Sequence, residues 1–157
     1  MSEGVEWALH CCVNLAWVGP QRAVTATRLA AYYGLPAAYL NKQLQALARE
    51  GIVSSTSGPR GGFRLAREPE QITLLDVVVA IEGREEAFRC TEIRQQAPGD
   101  APADSYLQPC AISHAMSRAE LGWRRELADQ TIAGIMAEVD RDHPHVPGRT
   151  RDWFTGS

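Results

Sequence analysis

No apolar run in this 157-residue chain approaches the roughly 20 residues that cross a bilayer, and no basic segment leads into an apolar signal core at its amino terminus. The expectation is a cytoplasmic protein with no membrane partner. Also absent are a phosphate-cradling loop, a paired acid/base motif and a nucleophile constellation, so no enzyme is expected. There is no repeat or low-complexity tract. Cysteine is scarce at four residues. In a reducing compartment these predict free thiols, metal ligands or redox sensors rather than structural disulfides.

What remains is a chain that is 45% hydrophobic, long enough for one compact core with a modest extension. Its net charge of -3 is unevenly spread. From Pro20 to Glu70 the balance is +4, and the rest of the chain carries -7. A basic docking face on a body that otherwise repels phosphate fits that asymmetry, although a segment of +4 is common among plain globular domains.

The order of elements inside the basic segment is more specific. Val5, Leu9, Cys12 and Ala16 predict a first helix over about Val5 to Trp17, ended by Pro20. Thr25 is the N-cap of a second helix closed at Gly34, and a third spans about Pro36 to Glu50 with Gly51 as its stop. Leu40, Leu44 and Leu47 form the buried stripe of the third helix. Its other face presents Ala38, Tyr39, Asn41, Lys42, Gln45 and Arg49, whose amide and cationic heads suit base edges and phosphates. Ile52 and Val53 open a strand, the turn from Ser57 to Gly61 reverses it, and Phe63 and Leu65 return it. Arg60 at the tip, flanked by Pro59 and by Gly61 and Gly62, is shaped for a minor groove. With Arg28 on the second helix and Gly61 in the turn, these residues make the predicted DNA-binding set. A polar helix face is more often only a solvated one, and a hairpin only a hairpin. The helix, turn, helix and wing order favours a winged helix-turn-helix on a double-stranded DNA operator.

Gly58-Pro59-Arg60-Gly61-Gly62-Phe63-Arg64-Leu65-Ala66, followed by Ile72-Thr73-Leu74-Leu75-Asp76-Val77-Val78, resembles the signature of the bacterial iron-sulfur winged-helix regulators, the IscR and NsrR family. The resemblance covers Gly4 to about Val139. It implies a homodimeric transcription factor whose DNA affinity depends on a bound 2Fe-2S or related cluster. Pro36 stands where family members often have serine, which the first turn of a helix tolerates.

Thr73 and Asp76 form a capping pattern ahead of Val77, Val78, Val79 and Ile81, a helix expected to end at Gly83. Glu85 to Asp104 has little apolar periodicity and is expected to be a loop. Ile112, Met116, Ala119, Trp123 and Leu127 mark a long helix with enough apolar surface to need a partner. A shorter helix follows over Thr131 to Val139. The predicted organisation is therefore mainly α with a small β-wing. A winged helix-turn-helix occupies 1–83, a cluster-binding loop 84–111, dimerisation helices 112–140 and a flexible tail 141–157.

Cys90 and Cys110 bracket the loop, whereas Cys11 and Cys12 fall inside the first helix, where a thiol usually packs as a small apolar residue. Regulators of the resembled family typically supply three loop cysteines, and this loop has two. A cluster needs four ligands. Glu6 and His10, four residues apart, project from one helical face and offer a carboxylate and an imidazole. Gly4 to Cys12, together with Cys90 to Gln95, resembles a redox-sensing branch of the family. In that branch the matching glutamate, histidine and two cysteines hold a 2Fe-2S cluster between subunits. Carried over, Glu6 and His10 of one protomer face Cys90 and Cys110 of the other. His114, four residues after Cys110, is a rival ligand. Zinc on the same donors, or a disulfide between Cys90 and Cys110, are alternatives to a cluster. A metal-free thiol-disulfide regulator and an iron-sulfur electron carrier are the alternative functions. A redox- or nitric oxide-sensing repressor is the function expected.

Overall fold

The computed structural model describes residues 1–99, 102 and 106–156. They form two compact units, Met1–Gly83 with Leu127–Ser157, and Arg84–Glu126. The fold is mostly helical with one two-stranded antiparallel sheet, as the patterning predicts.

In the first unit, α1 (Glu3–Val18) is the hub, with Val5, Ala8, Cys11, Cys12 and Leu15 all buried. It packs against α3 (Ala37–Arg49), α4 (Leu74–Glu82), α6 (Ile132–Asp142) and α7 (Val146–Thr155). Between α1 and α3 comes α2 (Ala26–Tyr33), capped by Thr25, whose hydroxyl accepts from the Arg28 amide at 3.2 Å. Gly34, at φ 65°, makes the left-handed turn into α3 that a side chain would strain. Leu40, Leu44 and Leu47 are fully buried. The wing pairs β1 (Val53–Thr56) with β2 (Gly62–Leu65), placing Val53 opposite Leu65 and Thr56 opposite Gly62. Phe63 plugs the wing into the core and exchanges two backbone hydrogen bonds of 2.8 Å with Val24. The Thr73–Asp76 capping box forms as predicted, with hydrogen bonds of 3.0 and 3.1 Å.

The chain from 141 onward departs from the expectation of a flexible tail. Val146–Thr155 is a helix, with Pro147, Thr150 and Phe154 buried. Pro147 falls in the first turn of this helix, where proline is tolerated. The decisive contacts are tertiary: Phe154 and Trp153 pack on Tyr32, and Thr150 hydrogen-bonds its hydroxyl at 2.9 Å. The grouping of 112–140 as dimerisation helices also divides. Ile132 is fully buried in the core of its own unit, with Ile135 and Met136 packed against that core, so α6 closes the first unit. Leu74 and Ile132 tie α4 and α6 together through backbone bonds to Gln130 and Ile72.

The second unit contains a short 3-10 turn, Ile93–Gln96, and most of α5 (Ala111–Asp129). None of its described residues is buried. The loop expected over Glu85 to Asp104 is irregular apart from that turn, and its positions 100, 101, 103 and 104 lie outside the described residues.

Candidate nucleic-acid interface and thiol site

With its leucine stripe turned inward, α3 leaves Ala38, Tyr39, Asn41, Lys42, Gln45 and Arg49 exposed on its outer face. Arg60 is exposed at the wing tip. Gly61, by contrast, is buried, and a Cβ there would lie 2.2 Å from the Thr56 carbonyl oxygen. The turn itself therefore demands glycine. Arg28 is partly buried, its Nη2 donating to the carbonyls of Trp153 at 2.7 Å and Gly156 at 2.5 Å. Its guanidinium lies 5.3 Å from the centroid of the Trp153 ring.

The first helix meets the reading helix closely. Trp7, next to Glu6, packs edge-on against Tyr39 with ring centroids 5.1 Å apart. The carboxamide of Gln43, a buried polar residue of α3, lies where a Cβ on Gly4 would approach within 3.0 Å. Glycine at position 4 thus lets α1 lie against α3. Sequence reasoning missed both contacts, because nothing in a periodicity says which residues of two helices meet.

Glu6 and His10 are both exposed and line one shallow pocket with Trp7, Tyr33 and Leu35. His10 Nδ1 is 3.4 Å from the Tyr33 hydroxyl, and the two rings lie 5.3 Å apart. Asn14 Nδ2 donates to the same hydroxyl at 3.0 Å. Tyr33 is 38% exposed over its whole surface, but its hydroxyl faces buried Asn14, and burial pushes the phenol up to about 12. Tyr33 therefore stays a neutral phenol that can orient the imidazole from one side.

Cys11 and Cys12 are fully buried. Desolvation pushes the Cys11 thiol up to about 12 and that of Cys12 well above the ordinary range. Both are poor thiolate donors. Cys110 stands at the head of α5, and the Ser113 amide donates to its Sγ at 3.3 Å. That bond holds its pKa below the usual thiol value, helped by the Ile112 amide, the Cys90 side chain and Arg94. Cys90 is exposed. Arg94 is fixed by Glu92, with its Nη2 donating at 2.7 Å, and by the Gln108 carbonyl at 3.1 Å. A guanidinium near both cysteines was legible only as Cys90 followed four residues later by Arg94, a spacing with no motif attached. His114 is exposed on the first turn of α5, its amide bonded to the Cys110 carbonyl at 3.0 Å. Among the described residues no group of three or more His, Cys, Asp or Glu side chains is placed to hold a metal ion.

Residues 1–138 match the profile of a family described as "Rrf2: Iron-dependent Transcriptional regulator". YffB of Lactococcus lactis, which carries the name of an HTH-type transcriptional regulator, is 29% identical over 143 residues, 91% of this chain and 90% of its own. Protein rrf2 of Nitratidesulfovibrio vulgaris is 28% identical over 127 residues, 81% of this chain and 80% of its own. Among solved structures, T. potens IscR superposes with a TM-score of 0.69 at 20% identity, covering 91% of this chain and 90% of its own. CymR, the global cysteine regulator of B. subtilis, superposes with a TM-score of 0.62 at 22% identity, covering 88% and 96%. At these identities the superpositions show a shared fold.

Proposed function

The chain belongs to the Rrf2 family of DNA-binding transcriptional regulators, and from that premise we propose that it is a homodimeric repressor sensing redox state or nitric oxide through a 2Fe-2S cluster. In this account α3 enters the major groove with Ala38, Tyr39, Asn41, Lys42, Gln45 and Arg49, and Arg60 beside Gly61 reaches the minor groove. The carrying observation for the sensor is the pair Cys90 and Cys110, the latter held toward thiolate by the Ser113 amide and by Cys90 itself. Two sulfurs from this segment of one protomer, with Glu6 and His10 from the exposed face of α1 of the other, would make a donor set that suits iron and resembles that of the redox sensor RsrR.

When bound, the cluster supplies a one-electron redox couple. With His10 and Glu6 in place of two thiolates, its potential would lie above that of an all-cysteine cluster. Tyr33 orients His10 through its hydroxyl, and the tyrosine is itself fixed by Asn14. Because Glu6 and His10 ride on the helix that carries Trp7 against Tyr39, a change in how α1 is held shifts α3. In a two-fold dimer the spacing of the two reading helices sets the fit to an operator. The apolar stripe of α5 that includes Ile112, 67% exposed, and Met116, 42% exposed, with Trp123 in line with them, is the surface for the second copy.

Purification without oxygen, followed by iron and sulfide assay and visible absorption, tests the assignment. Cys90→Ser and Cys110→Ser are expected to lose the iron, His10→Ala to retain it poorly, and Cys11→Ser, Cys12→Ser and His114→Ala to keep it. Full iron in both loop-cysteine variants rules the site out, and loss on His114→Ala alone transfers the ligand role. The closeness of Cys90 to Cys110 also favours a second account, a metal-free thiol-disulfide switch. Colourless protein that loses two titratable thiols on mild oxidation would establish that account instead.

A further inference from the structure

The first unit has a second cationic feature, apart from the outer face of α3. Arg22 lies before α2, Arg28 on it and Arg60 at the wing tip, yet all three line one open cleft of about 550 Å³. Its other walls are Gln21, Thr25, Pro59, Gly61 and Phe154, together with Ala23 and Val24, so among the described residues no Asp or Glu side chain lines it. Three cationic side chains lining one cleft favour an anionic occupant.

The wall that brings them together comes from the end of the chain. Arg22 Nη1 donates to the Thr155 carbonyl at 3.3 Å, and Arg28 Nη2 to the carbonyls of Trp153 and Gly156. These acceptors belong to the carboxyl end of α7, where helix carbonyls lack internal partners and carry partial negative charge. The contacts fix the two guanidinium groups without using all their donors, and Arg28 Nε is buried with no hydrogen-bond partner. The helix that does this lies beyond residue 138, where the match to the family ends.

We propose that this cleft is a clamp for one phosphodiester of the DNA backbone, with Arg22 as a direct ligand and α7 as the element that positions Arg22 and Arg28. The occupant is DNA rather than a free anion because Pro59, Arg60 and Gly61 of the wing form one wall, so a duplex engaged by the wing passes the cleft. Two charged nitrogens held in place favour a phosphate, whose oxygens accept several bonds at once. The inference rests on the docking of α3 and the wing on DNA.

The probe is a random-sequence 30-base-pair duplex titrated by fluorescence anisotropy between 50 and 200 mM KCl, because non-specific affinity depends on phosphate contacts and needs no known operator. Arg22→Ala is expected to reduce the steepness of log affinity against log salt by about 0.9 per protomer engaged, one phosphate contact, whereas Arg22→Lys keeps it. Trp153→Ala, which unstacks Arg28, is expected to reduce it less while leaving the thermal melt two-state. Arg149→Ala, exposed on α7 outside the cleft, leaves the slope at the parent value. A parental slope in Arg22→Ala while Lys42→Ala lowers it overturns the clamp alone. Parental slopes in both overturn the docking itself. Saturable thermal stabilisation by inorganic phosphate that depends on Arg22, with an unchanged DNA slope, assigns the cleft to a free anion and also overturns the proposal.

Discussion

The two units of this protein differ in how they are held together. In Met1–Gly83 with Leu127 onward, 22 hydrophobic residues are buried, from Val5 on the first helix to Phe154 on the last. In Arg84–Glu126 none of the described residues is buried, although Ile93, Leu107, Ile112, Met116 and Leu121 are large and apolar. The first unit satisfies its own hydrophobic pattern. The second has fewer large apolar residues and, among those described, leaves most of them exposed; this is the surface the proposed second copy would cover. The cysteines divide the same way, Cys11 and Cys12 being core residues and Cys90 and Cys110 accessible.

A charge on the apolar stripe of α5 is the most disruptive change. Trp123→Glu is expected to convert a sedimenting dimer into monomer and to lower operator affinity by orders of magnitude, since one protomer reads half a two-fold site. Parent protein that sediments as monomer at micromolar concentration while binding DNA tightly would remove the need for a partner. Thiol accessibility is the next contrast. In iron-free protein, iodoacetamide followed by mass spectrometry should label Cys90 and Cys110 and leave Cys11 and Cys12 unmodified until denaturant is added. Equal labelling of all four under native conditions would contradict the buried placement.

Smaller effects probe which segments belong to the first unit. Phe154→Ala should cost about 3–5 kcal/mol in urea unfolding, the loss expected for a core phenylalanine. Leu107→Ala, at 80% exposure, should stay within about 0.5 kcal/mol. If Phe154→Ala unfolds like the parent, α7 is an appendage rather than part of the core. Thr73→Ala removes the capping box of α4 and should cost about 1 kcal/mol, with Thr73→Ser restoring most of it.

What the sequence discloses follows the range of the interactions. Gly34 at the turn, the Leu40, Leu44 and Leu47 stripe, the wing and the Thr73–Asp76 box are local patterns, and each was legible before any coordinates. α7 was not, because a ten-residue helix opening on Val146-Pro147-Gly148 has weak local preference and is held by Tyr32 and the buried pocket of Phe154. Burial of Cys11 and Cys12 followed from their place on the first helix. The surroundings of the proposed ligands did not: Tyr33 beside His10 and Arg94 near Cys110 are distant or unpatterned in sequence. At Gly61 the structure adds a reason for glycine that no motif discloses, since a Cβ there would meet the Thr56 carbonyl.

In the proposed mechanism the state of a cluster held by Cys90 and Cys110 alters how α3 binds DNA. The direct measurement takes protein purified without oxygen and a duplex selected for tight binding from random sequence, and compares the dissociation constants of the oxidised and one-electron-reduced forms. The account predicts a difference of tenfold or more in the parent, absent from Cys110→Ser. Equal affinity in both states of an iron-loaded parent would contradict it.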